Sequence, residues 1–73
     1  MNRAEHCRRK LGLSYAEMAQ ICGVHRQTWI KWERGERQPD AAALRLMAIL
    51  EILQDKNILE DILLPLAVEL NDA

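Results

Sequence analysis

The sequence predicts an all-α fold, and three of its features indicate that class. Leu, Ala, Ile, Glu and Arg dominate a composition that is 49% hydrophobic and 29% charged, a mixture that favours helices in a globular domain. Apolar residues recur three and four positions apart, which is the spacing of one face of an α-helix. The three glycines and the Pro39-Asp40 pair divide this pattern into short segments. The sequence contains no β-hairpin motif, internal repeat or low-complexity tract.

The first two predicted helices are short, and each ends at a glycine. Residues 3–11 carry apolar side chains at helical spacing, and Gly12 follows them. Ser14 and Glu17 then form the S/T-x-x-E pattern of a capping box, in which each side chain accepts from the other residue's backbone N–H. Gly23 ends the second helix after about two turns, because glycine adopts the left-handed conformation at little cost.

The third helix is predicted to begin at residue 25 or 26 and to run to about residue 34, with Gly35 as its stop. Trp29 and Trp32 stand three positions apart and therefore share one face of this helix. We expect both indoles in the hydrophobic core rather than on the surface as platforms for stacked bases.

Two further helices are expected in the C-terminal half. Asp40 is a suitable N-cap for a helix over residues 41–54. Its inner side is predicted to carry Leu44, Met47, Leu50 and either Ile52 or Leu53. A fifth helix begins near Ile58, and Pro65 is expected to end or kink it, since proline lacks the backbone N–H that an interior position needs.

The charge of the chain is distributed unevenly between its two halves. The net charge of −1 at first argues against a nucleic-acid partner. Residues 1–37, however, hold eight basic and four acidic residues, a net charge of +4, whereas residues 38–73 hold two basic and seven acidic residues, a net charge of −5. Such asymmetry predicts an anionic partner for the N-terminal half.

The second and third helices are joined by the short, glycine-containing turn of a helix-turn-helix unit, residues 22–25. In such a unit, the N-terminal residues of the third helix can reach base edges in the major groove. Residues 11–24, together with residues 29–39 and their Trp-Glu-Arg-Gly run, resemble the XRE family of the Cro and phage-repressor type. The resemblance covers about residues 3–53. It implies a five-helix, phage-repressor-like DNA-binding domain, usually dimeric and usually a transcriptional repressor.

The resemblance also implies which side chains meet the bases of double-stranded DNA. The base contacts are expected from Arg26, Gln27, Ile30 and Lys31. Arg and Lys suit the O6 and N7 atoms of guanine, Gln suits adenine, and an apolar side chain can touch a thymine methyl group. These four positions lie along one helical face.

Further residues are expected to contact phosphate groups. They are Tyr15, His25, Thr28, Arg34, Arg37, Arg9 and Lys10. Tyr15 stands where the family often has Gln. Its hydroxyl can still donate to phosphate, but it lacks the amide that, in the family, supports a side chain of the third helix, the recognition helix. His25 replaces the more common Ser or Thr, which predicts a weaker cap on the third helix.

Arg8 and Glu33 match positions that form an ion pair between the first and third helices in similar repressors. The resemblance therefore predicts a structural pair, which would neutralise Glu33 and remove its charge as an obstacle to DNA binding.

The C-terminal half is richer in apolar residues than a single small domain can bury, since sixteen of the residues at positions 46–70 are apolar. We therefore predict a helix-turn-helix DNA-binding domain over residues 1–54 and a dimerisation segment over residues 55–73 of the same domain. The predicted homodimer interface consists of Ile58, Leu59, Ile62, Leu63, Leu66 and Leu70. Two recognition helices about 34 Å apart would then face a palindromic operator.

An alternative use of the same C-terminal segment is to bind another protein. An antitoxin that neutralises a toxin while repressing its own operon would combine the two activities. The sequence leaves open this choice, the source of the chain and the order of bases in the operator.

Other classes of function find no support in the sequence. It has no glycine-rich phosphate loop, no nucleophile with an identifiable base and no metal-ligand cluster. Cys7 and Cys22 are expected to be reduced core residues rather than zinc ligands or redox switches. We expect no enzyme activity, no cofactor and no small-molecule substrate.

The sequence also predicts where the protein works. No run of about 18 apolar residues that could span a membrane is present, and the N-terminus, Met1-Asn2-Arg3 and a charged run, does not resemble a signal peptide. We expect a cytoplasmic, nucleoid-associated protein with no membrane partner.

Overall fold

The computed structural model describes residues 1–72, and within this range the chain forms five α-helices and no strand. They are α1 (Arg3–Leu11), α2 (Tyr15–Cys22), α3 (Arg26–Arg34), α4 (Ala41–Asp55) and α5 (Leu59–Asp72). The predicted all-α class and the five helices are confirmed. The last residue of the predicted segment 55–73 lies outside the described residues. None of the helices in residues 1–72 has the length and apolar character needed to cross a membrane.

Local contacts at the helix ends explain why these segments are helical. The predicted capping box of α2 is present, with the Glu17 backbone N 3.1 Å from Ser14 Oγ and the Ser14 backbone N 3.0 Å from Glu17 Oε1. Gly23 ends α2 in the left-handed conformation, with φ 68°. Asp40 caps α4 by accepting from the Ala43 backbone N at 2.8 Å. Each contact satisfies a helix-end group that would otherwise lack a partner.

One buried cluster receives side chains from all five helices. Its members are Ala4, Cys7, Leu11, Met18, Ala19, Trp29, Trp32, Met47, Leu50 and Leu59. Trp29 is fully buried and Trp32 is 6% exposed. Their rings meet edge to face, with centroids 5.5 Å apart and planes at 62°, a favourable geometry for two aromatic rings. The prediction that both indoles are core residues is confirmed.

Helix α1 is held against α4 by charge as well as by apolar packing. Glu51 on α4, only 9% exposed, pairs with Arg3 and lies 3.5 Å from His6 Nε2. Lys10 Nζ lies 2.9 Å from Asp55 Oδ1. These contacts fix the helix on which α3 also packs.

Helix α4 has Leu53, and not Ile52, on its inner side, and it differs from the prediction at Leu44. Met47 and Leu50 are buried and Leu53 is half-buried, as expected. Ile52, however, is 53% exposed, because two residues of an α-helix rotate the side chain by about 200° from Leu50. Leu44 also keeps 39% of its surface exposed at the first turn of the helix.

Helix α5 continues through Pro65 instead of ending there, which corrects one part of the prediction. Proline removes the bond to the carbonyl four residues earlier, at Asp61. Asp61 is exposed, so water can satisfy that carbonyl. Leu59 and Leu63, earlier on the same face, pack against the core and hold the helix in place.

Candidate nucleic-acid interface

The N-terminus of α3 is held by its own cap. His25 Nδ1 accepts from the Gln27 backbone N at 3.1 Å. The sequence suggests a weak cap here, but the bond is made, through a ring nitrogen instead of a hydroxyl oxygen. Because Nδ1 accepts this bond, Nε2 is the ring nitrogen left to donate to an anion.

The outward face of α3 carries the residues that were predicted to meet bases. Arg26, Gln27 and Lys31 are exposed, as is Arg34, and Ile30 is half-buried at the edge of the same face. None of these residues is acidic. The opposite face holds the two buried indoles, and half-buried Thr28 lies nearer to that side. This geometry is compatible with base contacts, which remain a prediction.

The basic residues of the N-terminal half fall into two groups. Those on α1 are all ion-paired: Arg3 with Glu51, Arg8 with Glu33, Arg9 with Glu5 and Lys10 with Asp55. In the part of the chain that the structure describes, no ion pair involves the other four, which are Arg26, Lys31, Arg34 and Arg37. Within the N-terminal half, the unpaired positive charge is therefore concentrated on α3 and the loop after it.

The predicted pair of Arg8 and Glu33 is present in the structure. Arg8 Nε lies 2.6 Å from Glu33 Oε2, and Arg8 Nη2 lies 3.1 Å from Glu33 Oε1. This two-point contact raises the pKa of Arg8 above its usual value. Trp29 Nε1 also donates to Glu33. The carboxylate is thus neutralised within the protein and satisfies a buried indole N–H.

Two further contacts help to position α3, one through Arg8 and one directly, and neither was predicted from the sequence. The Arg8 guanidinium lies over the Tyr15 ring, 4.5 Å from its centroid, which is cation–π geometry. Asn2 Nδ2 donates to the backbone oxygens of Trp32 and Glu33 at 2.7 and 2.8 Å. Asn before a helix indicates an N-cap, and Asn2 Oδ1 does cap α1. Its second contact requires a residue thirty positions away and has no local sequence pattern.

The structure separates the predicted phosphate contacts. His25, Arg34 and Arg37 are exposed near the two ends of α3. Lys10, by contrast, faces α4 and pairs with Asp55. It lies two residues from Arg8, which turns it about 200° away from the side that contacts α3, and its role as a phosphate contact stays a prediction. Arg9, whose pair with Glu5 lies within α1, and Tyr15 and Thr28 stay predictions.

The predicted dimer residues do not form one free surface. Leu59 is 3% exposed and belongs to the core of the protomer, so no partner can contact it and its assignment to the interface is corrected. Leu63 and Leu66 are half-buried, whereas Ile58, Ile62 and Leu70 are exposed. Leu64, which was not assigned, is 74% exposed.

The two cysteines lie in surroundings that suppress thiolate formation. Cys7 is fully buried, and Cys22 is half-buried. Burial is the main cause that raises the pKa of Cys7 to about 12 and that of Cys22 to about 11. Residues 1–72 contain no group of three His, Cys, Asp or Glu side chains arranged to hold a metal ion.

Comparison with known proteins places this geometry in a family. A family model described as helix-turn-helix matches residues 5–50, a span from α1 into α4 that includes the α2–turn–α3 unit. No curated protein and no solved structure matches the chain.

Proposed function

Because this chain belongs to the helix-turn-helix family and is an XRE-type DNA-binding regulator, we propose that it represses transcription by binding a palindromic operator as a homodimer. In this proposal Arg26, Gln27 and Lys31 read bases and Ile30 contacts a thymine methyl group. Arg34 and Arg37 hold the phosphate backbone, and the protein works in the cytoplasm on nucleoid DNA.

The observation that carries the proposal is the separation of paired and unpaired cations. The α1 cations are neutralised by carboxylates, whereas Arg26, Lys31 and Arg34 project unpaired from α3. Unpaired cations on an exposed helix attract the phosphates of DNA, and their donors match base edges in the major groove. The ion pair with Arg8 neutralises Glu33, and the Trp29 indole N–H donates a hydrogen bond to it, so this carboxylate does not repel the phosphates.

The direct test is selection of bound sequences from a random pool of duplex DNA, followed by titration of the selected site. We expect a palindrome with half-sites about one helical turn apart and affinity between about 10⁻⁸ and 10⁻¹¹ M. The variant Arg26→Ala/Gln27→Ala/Lys31→Ala should lose this selectivity. Gln54→Ala, an exposed change on α4, is the matched control. If the triple variant selects the same site with the same affinity, α3 does not read the DNA.

Repression is tested separately from binding. A reporter gene whose promoter overlaps the selected site should fall in expression when the chain is supplied. Increased expression would identify an activator and would leave the DNA-binding assignment intact.

A second candidate function is supported by a groove between α2 and α5. It has a volume of about 410 Å³ and a mainly apolar lining that includes Ile21, Leu63 and Leu66, together with the acidic residues Glu17 and Glu60. This chemistry suits a basic amphipathic helix of another protein. Titration of the chain with the purified products of neighbouring genes should then give a stoichiometric complex. Leu66→Glu should abolish that complex and leave DNA binding unchanged.

A further inference from the structure

Helix α4 presents an exposed apolar stripe with a basic residue at each end. Arg45, Ala48, Ile49 and Ile52 are exposed, and their spacing places them on one face of the helix. Lys56, the exposed C-cap residue, follows Ile52 by one further turn. Ile49 and Ile52 each keep 53% of their surface in solvent. Apolar side chains grouped in this way mark an interaction surface.

Helix α5 presents a second exposed stripe, of opposite charge. Asp61, Leu64 and Val68 lie at positions i, i+3 and i+7 and therefore share one face. Leu64 and Val68 are 74% and 55% exposed. The residues from Asn57 to Asp72 include four acidic residues and no Lys or Arg.

The charges on these two stripes lack partners within the protomer. No ion pair in residues 1–72 involves Arg45, Lys56 or Asp61. Pairing α5 with a second α5 would place acidic side chains together, and pairing α4 with a second α4 would place basic ones together. Only contact between α4 and α5 brings opposite charges and apolar side chains together on both sides.

We propose that a second copy of this chain docks reciprocally, with the α4 stripe of each protomer packed on the α5 stripe of the other about a two-fold axis. The occupant of both stripes is thus the same chain, as an isologous dimer requires. This inference rests on the proposed homodimer and names its interface. It replaces the interface predicted from the sequence with the outward faces of α4 and α5.

Charge reversal tests the reciprocal arrangement. One variant, Arg45→Glu/Lys56→Glu, makes the α4 stripe acidic, and another, Asp61→Lys, makes the α5 stripe basic. Each variant alone then has like charges across both copies of the contact. We expect self-association at least about tenfold weaker than that of the original chain, since like-charge juxtaposition strongly disfavours a complex. Sedimentation velocity over a range of concentrations measures this change.

Mixing the two variants is the decisive step. In a mixed dimer, both α4–α5 contacts regain opposite charges, so an equimolar mixture should form heterodimers with about the affinity of the unaltered chain. The control is Glu69→Lys, which makes the same charge reversal at an exposed residue on a different face of α5 from Asp61. It should leave association unchanged. Thermal unfolding by circular dichroism verifies that every variant is folded.

The outcomes separate two failures. If the unaltered chain dimerises but both charge variants dimerise equally well, or the mixture shows no recovery, this interface is wrong and the proposed homodimer survives. If the unaltered chain is monomeric at micromolar concentration and still binds the selected DNA, the homodimer itself is wrong.

Discussion

Glu33 is a single residue on which the position of the recognition surface depends. Its side chain, 8% exposed, accepts from Arg8 and from the buried indole of Trp29. Arg8 in turn stacks on Tyr15 at the start of α2. One carboxylate therefore connects α1, α2 and α3 and orients the helix that carries the base-facing residues.

Replacement of Glu33 by Ala should destabilise the fold. The change leaves a mostly buried Arg8 guanidinium without its counter-charge and Trp29 Nε1 without an acceptor. We expect the free energy of unfolding to fall by about 3–5 kcal/mol, as measured by urea denaturation. Glu36→Ala, an exposed change, is the control, and equal effects of the two substitutions would show that the pair is not structural.

Arg26 and Arg37 should respond differently to truncation, although both are exposed arginines. Arg26→Ala should cost about 1–3 kcal/mol of binding free energy and relax preference at one base pair, because a bidentate contact to a base is lost. Arg37→Ala should weaken binding to all sequences alike. Fluorescence titration against the selected site and its single-base variants distinguishes the two effects, and a uniform loss for Arg26→Ala would contradict its role as a base contact.

The two thiols predict a loss of stability at alkaline pH. Burial raises the pKa of Cys7 from 9.0 to about 12 and that of Cys22 to about 11. Between pH 9 and these values the folded chain therefore binds more protons than the unfolded chain, so the free energy of unfolding falls as pH rises. Urea denaturation should show a smaller decrease for Cys7→Ala/Cys22→Ala than for the original chain. Equal slopes would contradict the assignment.

Among the five helices described, α5 has the fewest local interactions that stabilise a helix. It contains Pro65 in its interior, and the long side chains that tie it to the core, Leu59 and Leu63, both precede the proline. The other four helices have an N-cap side chain bonded to a backbone N–H. We therefore expect the second half of α5 to open most readily.

Replacement of Pro65 by Ala should stabilise α5. The new N–H can donate to the Asp61 carbonyl, and the clash of the proline ring is removed. A local gain of about 1–3 kcal/mol is expected, visible as slower hydrogen exchange of the amides after position 65. Asn71→Ala, an exposed change in the same helix, is the control. Unaltered exchange in Pro65→Ala would show that the proline does not limit the helix.

The net charge of the whole molecule is the sum of two unequal halves of the chain. The N-terminal half carries a net charge of +4 and the C-terminal half −5. Because the α1 cations are paired, the charge available to DNA is smaller than the sum for this half suggests. The near-zero net charge therefore combines a small basic surface on α3 and the loop after it with an acidic, apolar C-terminal half.

This distribution predicts how binding depends on salt. A dimer that uses Arg34 and Arg37, with or without Arg26 and Lys31, neutralises about four to eight phosphates. The logarithm of the binding constant should then fall with the logarithm of salt concentration at a slope of about −4 to −7. Arg37→Ala should reduce this slope by about 2, one for each protomer. A slope near that of the unaltered chain for Arg37→Ala would remove this residue from the phosphate contacts.

Local sequence patterns were sufficient to predict most of the elements. The Ser14 and Glu17 capping box, the Asp40 cap and the glycine stops depend on residues within about four positions of one another, so they can be recognised in the sequence. The outward position of Arg26, Gln27 and Lys31 follows from helical spacing once the indoles are assigned to the core. The Arg8 and Glu33 pair was accessible only through the family resemblance.

The helices and the α2–turn–α3 unit could be predicted from the sequence alone, because each depends on contacts between near neighbours. Which cations form ion pairs depends on tertiary contacts, since Lys10 finds its partner on α4. Tertiary packing likewise decided that Leu59 is core and Leu64 is surface. Helical periodicity tells which residues share a face, but the direction of that face depends on neighbours distant in the chain.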